Sequence, residues 1–317
     1  MVGSKKPWKA WLYLSPAIVL LLIFTVWPII NTVRIAFLEN YNTMDYVAGV
    51  KFDIGIGNFI KVIHYDTRNG FTTCLANTIL LCVLTVPIST LLALIISVCL
   101  NAIKPFRRLL QTIFFLPYVT NSIAIGMVFA AMFKMVGNNF GNENELLITA
   151  GIINNIIEFF GGEAINWINT GSTKFANMVV MVIYIVWNAL PFKILVLLGG
   201  LQSVNKQYYD AAKVDGTSRL RTFSRITVPL LSPMITYVVI TGFIGGFKEY
   251  SSIVGVFGEK MGPPGDAGRL NTMVGYIYDA LSTERLGSAS AAALILFGII
   301  FVVTMLNLYI SKKNTHY

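Results

Sequence analysis

Side chains able to carry acid–base, metal or nucleophilic chemistry are few and scattered in this 317-residue chain. The only histidines, His64 and His316, stand far apart, and Cys74, Cys82 and Cys99 fall in or beside one apolar stretch. Such cysteines read as small apolar side chains, not as a disulfide framework or a thiolate site. The sequence holds no G-x-x-x-x-G-K-[ST], H-E-x-x-H, C-x-x-C or G-x-S-x-G pattern. It therefore excludes ATP hydrolysis through a phosphate loop and offers no converging acid, base or metal ligands for another reaction. All fifteen acidic residues lie between or at the ends of apolar runs, with Glu249 and its neighbour Lys248 at the edge of one. A solute carrier driven by protons or sodium ordinarily buries a carboxylate near the membrane midplane, which weakens that reading.

One polar segment has a spacing that a merely solvated loop does not explain. It runs Gln207-Tyr-Tyr-Asp210-Ala211-Ala212-Lys213-Val214-Asp215-Gly216, then Thr217 to Ile226-Thr227-Val228-Pro229. Lys206–Val214 is expected to form a short helix, with Asp215-Gly216 as a turn in which glycine takes positive φ. Thr217 is expected to cap a second short helix reaching about Thr227. Ala211 and Ala212 would offer a small surface for close approach, and Arg221 and Arg225, four apart, would share a face.

The elements that must position this segment follow from composition. Apolar residues make up 55% of the chain, charged residues 12%, and mean hydropathy is +0.68. A soluble domain carries about 25% charged residues, so this chain is expected to be an all-α polytopic membrane protein. The net charge of +9 does not imply nucleic acid, because the basic residues sit only between apolar runs. A crossing helix needs about 20 apolar residues. Uncharged windows give six spans: Ala10–Val33, Asn69–Ile103 with its apolar part from about Leu75 to Leu100, Leu109–Phe133, Phe175–Phe192 continuing past Lys193 to Leu201, Ile226–Phe247, and Leu286–Ser311. The first is read as an uncleaved helix, since its apolar stretch is too long for a secretory signal and no A-x-A site follows. The run Leu146–Ile157 is too short to cross and is expected to be interfacial or extracytoplasmic. Pro28 and Pro87 sit inside spans one and two and Pro191 inside span four, where kinks are tolerable if neighbours satisfy the freed carbonyls. Six spans put both termini on one side. That side, with loops 101–108 and 202–225, holds 13 basic residues against two acidic, Asp210 and Asp215; the opposite side holds nine basic and 13 acidic. The positive-inside rule makes both termini cytoplasmic.

The pattern Asp210-Ala211-Ala212-Lys213-Val214-Asp215-Gly216, with Ile226-Thr227-Val228-Pro229 following, resembles the E-A-A-x-x-D-G…I-x-x-P loop of binding-protein-dependent ABC importer permeases. Asp210 departs from the usual Glu, keeping the charge with a shorter reach. Trp11–Ala17 with Trp27-Pro28, Arg107-Arg108 before Phe115-Leu-Pro-Tyr118, Ile165-Asn-Trp167, Gly200-Leu-Gln-Ser203, Gly262-Pro-Pro and Gly287–Ala291 resemble the carbohydrate-uptake branch of maltose and multiple-sugar type. The resemblance implies a type I importer permease fold in a bacterial plasma membrane. Its expected organisation is a first helix and extracytoplasmic segment over 1–74, a permease core over 75–310 with a coupling loop at 206–229, and a tail at 311–317. It further implies a second homologous permease, a cytoplasmic ATPase dimer that binds ATP and magnesium in place of this chain, an extracytoplasmic solute-binding protein, and a sugar as solute.

By the same resemblance, Asp210, Ala211, Ala212, Asp215 and Gly216 form the contact to the ATPase. Tyr118 and Ser122, four apart and so on one helix face, match sugar-facing positions of a maltose-type member, and Trp187, Asn188, Gly246 and Glu249 match by their distance from the loop. Tyr118 and Trp187 read equally as packing or interfacial residues, and Gly242, Gly245 and Gly246 as close helix packing. Two other readings stay open: a carrier driven by an ion gradient, and a structural membrane subunit.

Overall fold

The computed structural model describes residues 8–64, 70–103, 107–138, 147–149 and 151–314. Lys5, Lys6, Lys104 and His316, counted above for charge or chemistry, lie outside the described residues, as do 315–317 of the tail. The chain divides into two compact units, one of residues 1–66 with 276–297 and one of 67–275 with 298–317.

In the first unit, α1 (Trp8–Leu21) passes through a π-helical turn at Leu22–Val26 into α2 (Trp27–Phe37). Pro28 has no N–H to continue the ladder, and the turn before it closes with Trp27 N–H donating to the Leu22 carbonyl. Short helices α3 (Thr43–Val47) and α4 (Gly57–His64) follow. Buried Asn58 ties α4 to the end of α2, donating to the carbonyls of Ala36 and Leu38 at 3.1 and 2.8 Å. Gly287 fits against Asn58, where a Cβ would come within 2.6 Å of its amide.

The second unit is built on two long helices, α5 (Phe71–Ala102) and α9 (Lys174–Ser203), with Thr173 capping the latter. Between them lie α6 (Arg107–Val119), α7 (Ser122–Phe133), a hairpin of β1 (Val136–Asn138) and β2 (Leu147–Thr149), and α8 (Ile152–Phe159). The run read as one short apolar segment is thus part strand and part helix. Asn154 of α8 is buried and holds the following loop, accepting from Ile165 N and Trp167 Nε1 and donating to the Ile165 carbonyl. After α9 come α10 (Lys206–Val214), α11 (Arg219–Thr222), a π-helical turn at Phe223–Thr227, α12 (Val228–Leu230), α13 (Ser232–Phe247) and α14 (Ser251–Phe257). The chain ends with α15 (Met273–Ser282) and α16 (Leu286–Asn314).

Among the described residues four helices are long and apolar enough to cross a membrane, Trp8–Phe37, Phe71–Ala102, Lys174–Ser203 and Leu286–Lys312, and there are six if each of two bent pairs is one span. The third and fifth expected spans are those pairs, bent by 100° and 68°. At the first bend Thr120 N–H turns back to the Pro117 carbonyl, Thr120 Oγ1 takes the Leu116 carbonyl, and Asn121 caps α7 by accepting from Ile123 N at 2.8 Å. Side chains thus replace the ladder where it breaks. At the second, Leu231 closes α12 and Pro233 opens α13, so the apolar helix beyond the bend is Ser232–Phe247.

Among the described residues, two apolar clusters hold this unit. One gathers Leu81, Phe133, Met181, Tyr184, Ile253 and Leu270 among others; the second centres on Ala93, Leu94, Leu197, Leu201, Leu231 and Val238. α7 and α14 touch backbone to backbone through Gly126 and Gly255, where a Cβ on Gly126 would stand 2.6 Å from Gly255 Cα. Small residues permit such contact between apolar helices, which have no hydrophobic force to join them in lipid.

Candidate functional site

The polar segment folds as a short capped helix with one inward-facing residue. Asn205 Oδ1 accepts from Gln207 N at 3.0 Å and starts α10, which spans the residues expected of it. Its end is closed by three bonds: Asp215 N to the Ala211 carbonyl, Gly216 N to Lys213 and Thr217 N to Ala212, at 3.0, 3.1 and 2.9 Å. Gly216 makes this possible with φ +64°, the left-handed value that favours glycine. Asp210, Ala211, Asp215 and Gly216 are exposed. Ala212 is not: at 5% exposure it faces inward, so only Ala211 of the pair offers a small outer surface. Asp210 reaches back to Lys213 at 3.1 Å on the open face. The second short helix starts one residue later than expected, with Ser218 rather than Thr217 accepting from Arg221 N. A π-helical turn at Phe223–Thr227, which holds Arg225, follows it.

The second set of candidates meets in a cavity of about 350 Å³ within the second unit. α5 supplies Thr85, Val86 and Ser89, α9 supplies Asn188 and Phe192, and α13 supplies Thr241, Gly242, Gly245 and Gly246, with Tyr118 and Glu249 completing the wall. The Tyr118 and Phe192 rings lie nearly parallel, at 18° with centroids 6.0 Å apart. Glu249 accepts from Ser252 N at 3.1 Å through Oε1, which fixes its carboxylate at the start of α14. All three glycines line the cavity, and two also pack closely: a Cβ on Gly246 would stand 2.7 Å from Cys82 Sγ and one on Gly242 3.1 Å from Val86 Cγ1, whereas Gly245 has open space beside it.

Of the six path candidates, Tyr118, Asn188, Gly246 and Glu249 share this wall. Ser122 stands behind it, with Oγ 3.0 Å from the Tyr184 hydroxyl and 3.5 Å from Asn188 Nδ2. The 100° bend between Tyr118 and Ser122 overturns their placement on one helix face. Trp187 is not part of the wall and packs on Phe129, with centroids 5.3 Å apart. Lys193, noted in the sequence only as a charge within a span, does line the cavity. A cation in an apolar run is itself a signal, since such residues turn toward a bundle interior or an aqueous cavity. Among the described residues, no three of His, Cys, Asp or Glu are placed to hold a metal ion.

Chemically, aromatic faces with an amide, a hydroxyl and a carboxylate suit a hydroxyl-rich solute, and nothing in the wall resembles a nucleophile–base pair. The sequence is 30% identical to the arabinooligosaccharides transport system permease protein AraP of Halalkalibacterium halodurans, over 94% of this chain and 86% of that protein. It is also 30% identical to the lactose transport system permease protein LacF of Rhizobium radiobacter, over 94% and 91%. The fold matches a bacterial ABC transporter involved in the import of the acidic polysaccharide alginate, with a TM-score of 0.76 at 19% identity over 98% of this chain and 96% of that one. Residues 85–316, which contain α10 and every residue of the cavity wall, match the binding-protein-dependent transport system inner membrane component family, and the chain belongs to that family.

Proposed function

We propose that this chain is a membrane-spanning permease subunit of an ATP-driven importer, which moves a sugar into the cell by alternating access. The single observation that carries this reading is the joint presence, in one member of this family, of an exposed capped helix and a cavity walled by stacked rings and polar groups. The relatives named for arabinooligosaccharides and lactose support an oligosaccharide or related polyol as the solute. A separate ATPase dimer, holding ATP and magnesium, would grip α10. Asp210 provides a charged contact, Ala211 the close fit, and Gly216 the turn that fixes the helix end. Ala212, facing inward, seats the helix on its own chain. A second permease would complete the pathway, and a solute-binding protein would deliver the sugar from outside. The charge count supports cytoplasmic termini and a cytoplasmic α10.

The test is gentle affinity purification from native membranes with mass spectrometry of what accompanies the chain. Recovery of a second permease and a phosphate-loop ATPase is expected, and a binding protein recovered with them can be screened against sugars. Recovery of the chain alone, with uptake that survives ATP depletion and collapses with the ion gradient, would overturn the reading in favour of a carrier.

A further inference from the structure

Lys193 is 4% exposed, yet it carries an ammonium into an apolar helix. Its three N–H donors have three acceptors, all on α5: the Val86 carbonyl at 3.2 Å, Ser89 Oγ at 2.7 Å and Thr90 Oγ1 at 2.9 Å. The two hydroxyls spend their own protons on α5 carbonyls, Ser89 on Thr85 and Thr90 on Val86, and so present lone pairs to the lysine. Among the described residues, no carboxylate lies within 4.0 Å of Nζ. A methionine would fill the same space without taking a charge out of water, so packing alone does not account for a lysine here.

The place of this contact is specific. Lys193 stands two residues after Pro191 in α9, and Val86 directly precedes Pro87 in α5. α13 passes over the same point with a glycine: a Cβ on Gly242 would stand 3.1 Å from Val86 Cγ1 and 3.2 Å from Lys193 Nζ. The ammonium therefore sits where the proline-weakened stretches of two long helices and a bare stretch of a third converge on the cavity wall. α9 also runs almost directly into α10, with only Val204 and Asn205 between them. Apolar side chains between α5 and α9 can slide past one another. Three charge-assisted bonds are directional and resist that sliding.

We propose that Lys193 is a positioning residue that pins α5 to α9, so that movement entering at α10 is passed to both walls of the cavity together. The proposal rests on the importer reading and is tested in the purified complex without knowledge of the solute. Cys74, Cys82 and Cys99 are replaced by alanine, Thr241→Cys is placed in the cavity wall, and its modification by a charged methanethiosulfonate reagent is timed with and without ATP plus vanadate. In this parent the two rates are expected to differ by an ordinary coupling factor of about 5- to 150-fold; with Lys193→Met the difference falls to within about twofold. Complex yield is measured alongside, so that loss of assembly is told from loss of coupling. Ser89→Ala, which removes one acceptor and little volume, is expected to lower the ratio in the same direction and to add nothing on top of Lys193→Met. It carries the test if the methionine variant does not assemble.

A Lys193→Met complex that labels with the parent's full nucleotide dependence overturns the proposal and leaves the importer reading standing. So does one that only melts earlier with its ratio unchanged. Labelling that ignores ATP already in the parent overturns the importer reading, and the pin with it.

Discussion

Gly216 gives the sharpest test of the loop, because its cost can be worked from the backbone. Its φ is +64°, and a Cβ added there would meet nothing within 4 Å, so alanine brings a conformational penalty and no clash. Holding an L-residue in the left-handed region costs roughly 1–2 kcal/mol. That is a factor of about 5–30 in the population of the closed turn. Asparagine tolerates the region better and should lose less. Proline locks φ near −65° and removes the N–H that bonds the Lys213 carbonyl at 3.1 Å, so it is incompatible with the turn altogether. The helix has little else to hold it: α10 is nine residues long and buries only Ala212. Helices of that length are marginal alone, so the loss falls directly on the helix end. The assay is solute-stimulated ATP hydrolysis and uptake by the reconstituted complex, with the amount of chain in the membrane as control. Coupling should fall in the order Gly, Asn, Ala, Pro, with Gly216→Pro abolishing it at normal insertion. Normal coupling in Gly216→Pro, or equal loss in Asn and Ala variants, refutes the reasoning.

Asp210→Arg should leave thermal stability unchanged, because the pair with Lys213 is exposed on both sides, while abolishing solute-stimulated ATP hydrolysis; retained stimulation would remove the carboxylate from the contact. Tyr118→Phe keeps the ring against Phe192 and should keep uptake, whereas Tyr118→Ala should lower it about 2- to 12-fold, the worth of an aromatic pair, in a transport assay at fixed complex density. Asn154→Ala strands Ile165 N and O and Trp167 Nε1 and should destabilise the chain by roughly 2–5 kcal/mol, read as a lower melting temperature of the purified protein.

Hydropathy located the long elements closely: the uncharged windows Ala10–Val33 and Phe175–Phe192, the latter continued past Lys193 to Leu201, fall inside helices Trp8–Phe37 and Lys174–Ser203. The loop helix was legible for a different reason, since the Asp215-Gly216 turn after it is a local signal that tertiary packing need not modify. The bends were not legible. Thr120-Asn121 lies inside an apolar window, and two polar residues there change mean hydropathy little while redirecting the backbone by 100°. The inward turn of Ala212 escaped too, because nothing local says which side of a small amphipathic helix meets its own chain. The cage around Lys193 is non-local altogether: its acceptors stand more than 100 positions away, on a helix whose serines and threonines read as ordinary polar tolerance in a span.

The irregular backbone of the second unit is not spread at random. In hydrocarbon, a carbonyl or N–H released from the helical ladder must find another partner, so a break persists only where side chains or a shifted ladder supply one. The chain does this twice near its candidate sites. Thr120 and Asn121 satisfy the freed groups two and three residues after Tyr118, at the cavity wall. The π-helical turn at Phe223–Thr227, closed by Val228 N–H on the Phe223 carbonyl, absorbs Pro229 as the chain returns from α10 to α13. Thr227 Oγ1 also meets the Tyr209 hydroxyl at 3.4 Å, so this second break is tied to the loop helix itself. A joint whose polar groups stay paired can change angle without exposing them to lipid, which a straight helix cannot do. The residues that spoil the two expected spans as uninterrupted helices are therefore the ones that would let α7 and α13 change angle against α5 and α9.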